Sequence, residues 1–313
     1  MKRGRTESDP GPGAGTTLLA PELMARVRQI QIRTHQLVSA VLQGAYRSTF
    51  RGTGIEFDEV RPYQPGDEVR SIDWNVTART GEPFIKTYVE ERQLILQFLV
   101  DTSLSMDFGS GTKTKRETAA EAAALLSFVA VQQQDQVGLT LFADEPGLHL
   151  APEKGHRHVL RVVREVMAAP AEGKGSSLAK VLDHQLRHLR RRSLVFVVSD
   201  FQDVDQEWSG VLGRVARNHD VVCLRVVDPL EEELPEAGLV ALREIESGRS
   251  VEVDTSSRAV REAWAEAARQ RRETLVDALS HARVDLIELR TDENVADPIV
   301  RYFNRRARRG GRS

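Results

Sequence analysis

The sequence predicts an α/β fold organised on a doubly wound, mostly parallel sheet, with an N-terminal helix and a β-rich collar ahead of it. Three observations lead there. The run LILQFLV at 94–100 is apolar at every position but Gln97, the pattern of a strand covered on both faces. A second run of that kind, SLVFVV from Ser193, shares its character, and both runs are followed by an acid, Asp101 and Asp200. Between Leu94 and Leu289 strand patterns alternate with helix patterns, the order of a parallel sheet joined by crossover helices.

The 313 residues suffice for one large core or two modest ones, and 40% hydrophobic with 29% charged residues is an ordinary balance for a soluble chain. A net charge of -2 gives the molecule no overall attraction for polyanions, so no nucleic-acid partner is expected. The single cysteine, Cys223, lies in the apolar run DVVCLRVV; it excludes an internal disulfide and suits a reducing cytoplasm. No stretch approaches the roughly 18 apolar residues of a membrane span. The start, MKRGRTESDPGPGAG, has no apolar core behind its basic residues and does not read as a secretory signal. A cytoplasmic protein is expected.

Residues 1–20, rich in Gly, Pro and Thr, read as a disordered tail. Residues 21–92 form the next unit. A helix opens at Pro21 and Glu22, with Leu23, Val27, Ile30, Leu37, Val41 and Leu42 at helical spacing and Gly44 as its stop. From 51 to 91 the periodicity breaks into short strands and turns. Arg61, Tyr63, Gly66, Asp67, Arg70, Asp73, Trp74 and Arg79 there mix both charges with two large aromatics. A solvated loop needs neither Tyr63 nor Trp74, so the block is expected to be a collar packed by internal ion pairs.

The α/β domain itself is expected over 93–290. After its first strand, GSGTKTKRE resembles a phosphate loop only superficially, because no glycine directly precedes Lys113 or Lys115; no nucleotide site is expected. An Ala-rich helix at 117–133, the strand QVGLTLF, a short edge strand in GLHLAP and a helix at 156–167 follow. Ser176 and Ser177 lead into a helix at 178–191 that carries His184 and His188 four residues apart. The zinc-protease signature requires Glu after the first of two such histidines, and Gln185 stands there, so the two read as a surface pair. A helix at 205–217, the strand DVVCLRVVD and a solvated acidic loop, DPLEEELPE, come next. A hairpin insert about 238–254 turns at Ser247-Gly248, before a long charged helix at 258–281 and the strand VDLIEL. Residues 291–313 read as a basic helix and tail, with six arginines and no acid in PIVRYFNRRARRGGRS.

Asp101, Ser103 and Ser105 alternate at the end of the first strand. A loop leaving it can turn one carboxylate and two hydroxyls towards one point at a strand's carboxyl end, where open α/β sheets place their ligands. Oxygen donors without Cys or His suit a hard cation such as Mg²⁺. The same residue types also make turns and helix caps, so spacing alone leaves both readings open. If the strands of Asp101 and Asp200 are neighbours, both carboxylates and the Ser176 loop meet above one sheet edge.

Three segments, D-T-S-L-S-M from Asp101, G-S-S-L from Gly175 and S-D-F from Ser199, together resemble the metal-ion-dependent adhesion site of the von Willebrand factor A fold. Upstream, E-F from Glu56, R-P-Y from Arg61, P-G-D from Pro65, R-S-I-D-W from Arg70 and A-R from Ala78 resemble the signature of the domain of unknown function 58 family of bacterial proteins. The resemblance covers about 51–228. It implies a Rossmann-like sheet flanked by helices and an Mg²⁺ or Mn²⁺ site at the matching Asp101, Ser103, Ser105, Ser176 and Asp200. Many related sites have Thr where Ser176 stands, and Ser177 is the other candidate for that hydroxyl. The resemblance further implies a non-enzymatic, metal-dependent protein-binding module. Its expected partner is a MoxR-type AAA+ ATPase, or that ATPase's client, in chaperone-like assembly or metal-centre maturation. The alternative is a metal-dependent hydrolase or nuclease, which needs a general base beside the metal; no convincing His or Glu stands beside these loops in the sequence.

Overall fold

Helix α1 (Ala20–Leu37) leads the chain in the computed structural model, which describes residues 20–37, 46, 56–89, 93–171, 176–202, 207–243 and 249–310. The expected tail at 1–19, the helix stop at Gly44 with Val41 and Leu42, and the hairpin turn at Ser247-Gly248 lie outside the described residues. Next comes β1 (Glu56–Pro62), then a 3₁₀ turn at Val69–Ser71, α2 (Trp74–Thr80) and β2 (Phe84–Val89), with β1 and β2 paired antiparallel. The main body follows as β3 (Ile95–Asp101), α3 (Lys115–Gln132), β4 (Gln136–Phe142), β5 (Pro146–Glu153), α4 (His156–Ala168) and α5 (Leu178–His188). It continues through β6 (Leu194–Ser199), α6 (Trp208–Asn218), β7 (Asp220–Val227), the short helix α7 (Pro229–Glu232), and the hairpin of β8 (Leu239–Arg243) and β9 (Ser250–Asp254). The long helix α8 (Arg258–Ala282), β10 (Asp285–Arg290) and α9 (Ala296–Gly310) complete it.

The six-stranded sheet has the order β10-β7-β6-β3-β4-β5, parallel throughout except for the antiparallel edge strand β5. The strand patterns predicted it because β3, β6 and β7 are buried along nearly their whole length and therefore read as continuous apolar runs. Alternate residues serve opposite faces. Leu96, Phe98 and Val100 of β3 pack with Phe196 and Val198 of β6 into the core shared with α1, α3, α4 and α9. Leu99, Val195, Val197 and Cys223 face the other way, into the core shared with α5, α6 and α8. Helix α3 carries six alanines among its apolar residues and is buried almost all round, between the sheet and the helices outside it.

Two expectations are corrected. The acidic stretch after β7 is not a free loop: Asp228 and Glu231 form a capping box around Pro229, and the four residues wind into α7. Trp74 was expected inside a packed collar, yet it is 69% exposed. Asp73 is the N-cap of α2, its carboxylate accepting the Asn75 and Val76 amides at 2.9 and 3.4 Å. That cap makes Trp74 the first helical residue of an external helix, and its indole stands in solvent.

Candidate functional site

In this strand order the connections out of β3 and out of β6 run in opposite directions: β3 leads to β4 on one side, β6 to β7 and β10 on the other. The carboxyl ends of β3 and β6 therefore flank a topological switch point, the crevice in which open α/β sheets bind ligands. Asp101 closes β3, and Asp200 follows β6 directly.

The buried Asp101 carboxylate is held on both oxygens. Its Oδ1 accepts the Ser103 N–H at 2.9 Å; its Oδ2 accepts the Ser176 hydroxyl at 2.5 Å and the Ser199 hydroxyl at 2.7 Å. Ser103 Oγ lies 3.1 Å from Ser105 Oγ. Of the two serines before α5, Ser176 thus joins the cluster, while Ser177 donates its N–H to the Ala143 carbonyl at 2.8 Å. The loop that carries Ser103 and Ser105 is braced from below. Arg116 pairs with Asp107 and reaches the Ala169 carbonyl at 2.7 Å and the Thr102 carbonyl at 3.3 Å.

Lys115 is the member that the sequence reading missed. Thr114 caps α3 in a capping box with Glu117, so Lys115 begins the helix and its side chain turns inward with 0% exposure. Its Nζ donates to Asp200 Oδ2 and to Glu231 Oε1, both at 2.5 Å. Ser199, the last residue of β6 and directly before Asp200, is a second member not singled out by the sequence. Glu231 arrives on α7, the helix misread as loop.

Charge is tightly matched here. Burial, and then the charge of Asp200, raise the pKa of Asp101, while hydrogen bonds from Ser176, Ser103 and Ser199 oppose the rise. Burial alone would lower the Lys115 ammonium's pKa, yet the charges of Asp200 and Glu231 and their hydrogen bonds outweigh it, and the net shift is upward. A further acid closes the edge. Asp228 accepts the Ser110 N–H and hydroxyl at 2.8 and 2.6 Å and the Thr291 hydroxyl at 2.9 Å, tying the loop after β3 to the ends of β7 and β10.

The donor set suits a hard divalent cation in kind: two carboxylates and several hydroxyls, all oxygen. As they stand, no three of the described His, Cys, Asp and Glu side chains surround one ion position. An ion would rest on Asp101 and Asp200 with Ser103, Ser105 and Ser176 filling its shell. The Lys115 ammonium already supplies positive charge to Asp200 and would have to share it.

The signature residues of the collar are cross-linked among themselves. Arg61 grips Asp67 through two bonds of 2.9 and 2.8 Å, and Asp67 also accepts the Gln64 amide at 2.8 Å. Gly66 sits between them at φ 110°, a conformation open to glycine. Tyr63 is half-buried, with its N–H on the Pro83 carbonyl at 2.9 Å, and Arg70 is exposed at the end of the 3₁₀ turn.

Solved structures similar to this chain include the conserved hypothetical protein BatB from Bacteroides thetaiotaomicron, at 13% identity and a TM-score of 0.45, covering 70% of this chain and 100% of that one. The SpRpn10 VWA domain is similar at 11% identity and a TM-score of 0.39, covering 67% and 95%. Superpositions that loose say nothing of function, and the fold assignment rests on the sheet itself. Closer in sequence are uncharacterized proteins of Mycobacterium tuberculosis and Mycobacterium bovis, each 34% identical over 294 residues that span 92% of this chain and 91% of theirs. Residues 59–274 match the family described as protein of unknown function DUF58, and the chain belongs to that family.

Proposed function

We propose that this chain is a non-enzymatic protein-binding module of the cytoplasm, and that its docking point is the carboxyl edge of β3 and β6. The observation that carries the reading is the convergence of Asp101, Ser176, Ser199 and Asp200 at the switch point of the sheet. A bound Mg²⁺ or Mn²⁺ would supply an open coordination position that accepts a carboxylate from the partner. In this reading Asp101 orients the serine hydroxyls, Ser103 and Ser105 present their oxygens outward, and Lys115 keeps Asp200 in place. The cluster is made for holding: Asp101 accepts three hydrogen bonds, and Lys115 is committed to two carboxylates, which leaves neither as a ready proton carrier. The partner is a MoxR-type AAA+ ATPase or its client, presenting an exposed Asp or Glu.

The test is capture of a purified MoxR-type ATPase in a buffer containing Mg²⁺. Binding should vanish with EDTA and in Ser103→Ala and Asp200→Ala, with circular dichroism unchanged in the serine variant. Equal capture with and without EDTA would make the metal irrelevant to docking and sink the mechanism.

A further inference from the structure

Away from the carboxylate cluster, three imidazoles meet where α5 packs beside the edge strand β5. His149 of β5 stands with its ring centroid 5.8 Å from His184 and 5.7 Å from His188, and those two rings of α5 stack at 3.9 Å. We propose that His149, His184 and His188 form a site for a borderline transition cation of the Zn²⁺ class, independent of the hard-cation cluster at Asp101.

The spacing is that of a three-histidine site with one contact to open. Imidazole nitrogens about 2.1 Å from a tetrahedral ion put ring centroids about 5 Å apart. Two of the three separations are within 1 Å or so of that value, and the stacked pair must spread by roughly 1 Å. As the rings stand they do not surround one ion position. His149 and His188 are exposed and His184 is half-buried. Rotation about the bond to each ring is soft and roughly two-fold, so the adjustment is within side-chain reach. Histidines four apart on a helix share a face, which is how helical metal sites obtain two ligands.

The shell behind the rings strengthens the assignment. His188 Nδ1 lies 2.7 Å from the His184 carbonyl, so that nitrogen carries the proton and Nε2 holds the free lone pair. His149 Nδ1 lies 2.8 Å from the Thr140 hydroxyl, which also takes the Gln185 amide at 2.8 Å and the Gln97 amide at 3.1 Å. Gln185 and Gln97 are completely buried, and their Oε1 atoms have no hydrogen-bond partner among the described residues. As placed, both amides donate to Thr140, so its hydroxyl proton goes to His149 Nδ1 and the His149 ring proton sits on Nε2. Turning the Gln185 carboxamide over would reverse this chain, with its NH2 then in the place where Oε1 has no partner: Thr140 would donate to Gln185 Oε1, His149 Nδ1–H would donate to Thr140, and His184 Nδ1, now 3.4 Å from the Gln185 amide nitrogen, would face an oxygen. In that turned orientation one buried amide would set two rings to the tautomer in which Nε2 can bind an ion, the support that metal-ligating histidines usually have. The sequence pattern His184-Gln185-x-x-His188 departs from the protease signature at the general base, and the proposal makes that glutamine a positioning residue.

Titrating Zn²⁺ into the full chain by calorimetry, in a chelator-free buffer, tests this. One equivalent should bind, and His149→Asn and His188→Asn should each weaken it about tenfold or more, with the circular dichroism of the metal-free proteins unchanged. Gln185→Leu should weaken it by about 10–100-fold because the hydrogen bonds behind the rings are lost. Co²⁺ in the same site should give the intense visible bands of tetrahedral coordination, and Asp101→Ala should leave the affinity untouched. Affinity unchanged in both histidine variants, or no uptake of Zn²⁺, would overturn the proposal.

Discussion

At Lys115 an ammonium with no exposed surface lies between Asp200 and Glu231. Removing one member of a buried charge network leaves its partners uncompensated, which costs about 3–5 kcal/mol. Lys115→Met should therefore lower stability by about that amount, and an added divalent ion should return part of it by neutralising Asp200 in the lysine's stead. Thermal unfolding with and without Mg²⁺ checks this; a rise of equal size in the wild-type and variant proteins would show that lysine and ion do not compete. Asp101, Ser103, Ser105 and Asp200 were legible in the sequence because each lies at a strand end or on the loop leaving it, and Ser176 through the G-S-S-L segment ahead of a helix. Lys115 was not, since its carboxylates are 85 and 116 residues away and a lysine at the head of a helix normally points to water.

Elements are joined at Asp135, in the turn between α3 and β4. Its Oδ2 accepts the Tyr46 hydroxyl and its Oδ1 the Leu94 N–H, both at 2.9 Å, so the starts of β3 and β4 hang on one carboxyl. Burial pushes that carboxyl up to about 6, against opposing hydrogen bonds from Leu94 and Tyr46. A folded pKa above the unfolded one means that the native state holds the extra proton. This carboxyl's contribution to stability is then greatest below pH 4 and declines as pH rises through 6, by up to about 3 kcal/mol. Asp135→Asn should remove that share of the decline, seen as the difference between denaturant midpoints across pH 4–7; parallel curves would contradict the assignment. Strands were the most legible elements, because burial on both faces writes an unbroken apolar run. α7 was misread for the opposite reason: DPLEE is acid-rich and looks solvated, although Asp228, Pro229 and Glu231 were already in the positions of a cap, a first-turn proline and its reciprocal acid.

For the whole molecule, side-chain size is a poor guide to what supports the fold. Phe303 of α9 is 0% exposed and packs edge-on to Tyr46, whereas Trp74 of the signature stands in solvent. Phe303→Ala should cost about 3–5 kcal/mol. Trp74→Ala should stay within about 0.5 kcal/mol of the wild-type protein. Chemical denaturation of the two variants would refute this ordering if Trp74→Ala were the more damaging. The six-arginine segment was expected to be a basic helix and tail after the α/β domain. Ile299, Tyr302 and Phe303 instead seat it in the core, and Arg306 pairs with Asp220, which makes its first half part of the body. No described helix is long and apolar enough to cross a membrane. Fold class was readable from alternation alone; the position of the signature block was not, because mixed charges and aromatics look alike in a packed collar and on an external helix.

The two margins of the sheet bear on how any other protein can attach. β5 contains Pro146 and Pro152, which offer no N–H, and its register against β4 is broken twice. β10, at the far margin, carries Glu288 bound by Arg272 and Arg225, and Arg290 bound by Glu232. Both margins thus disfavour an incoming strand, by missing donors on one side and by charged side chains on the other. A visiting chain that does not extend the sheet is left with the crest of loops above β3 and β6 or with the helical flanks.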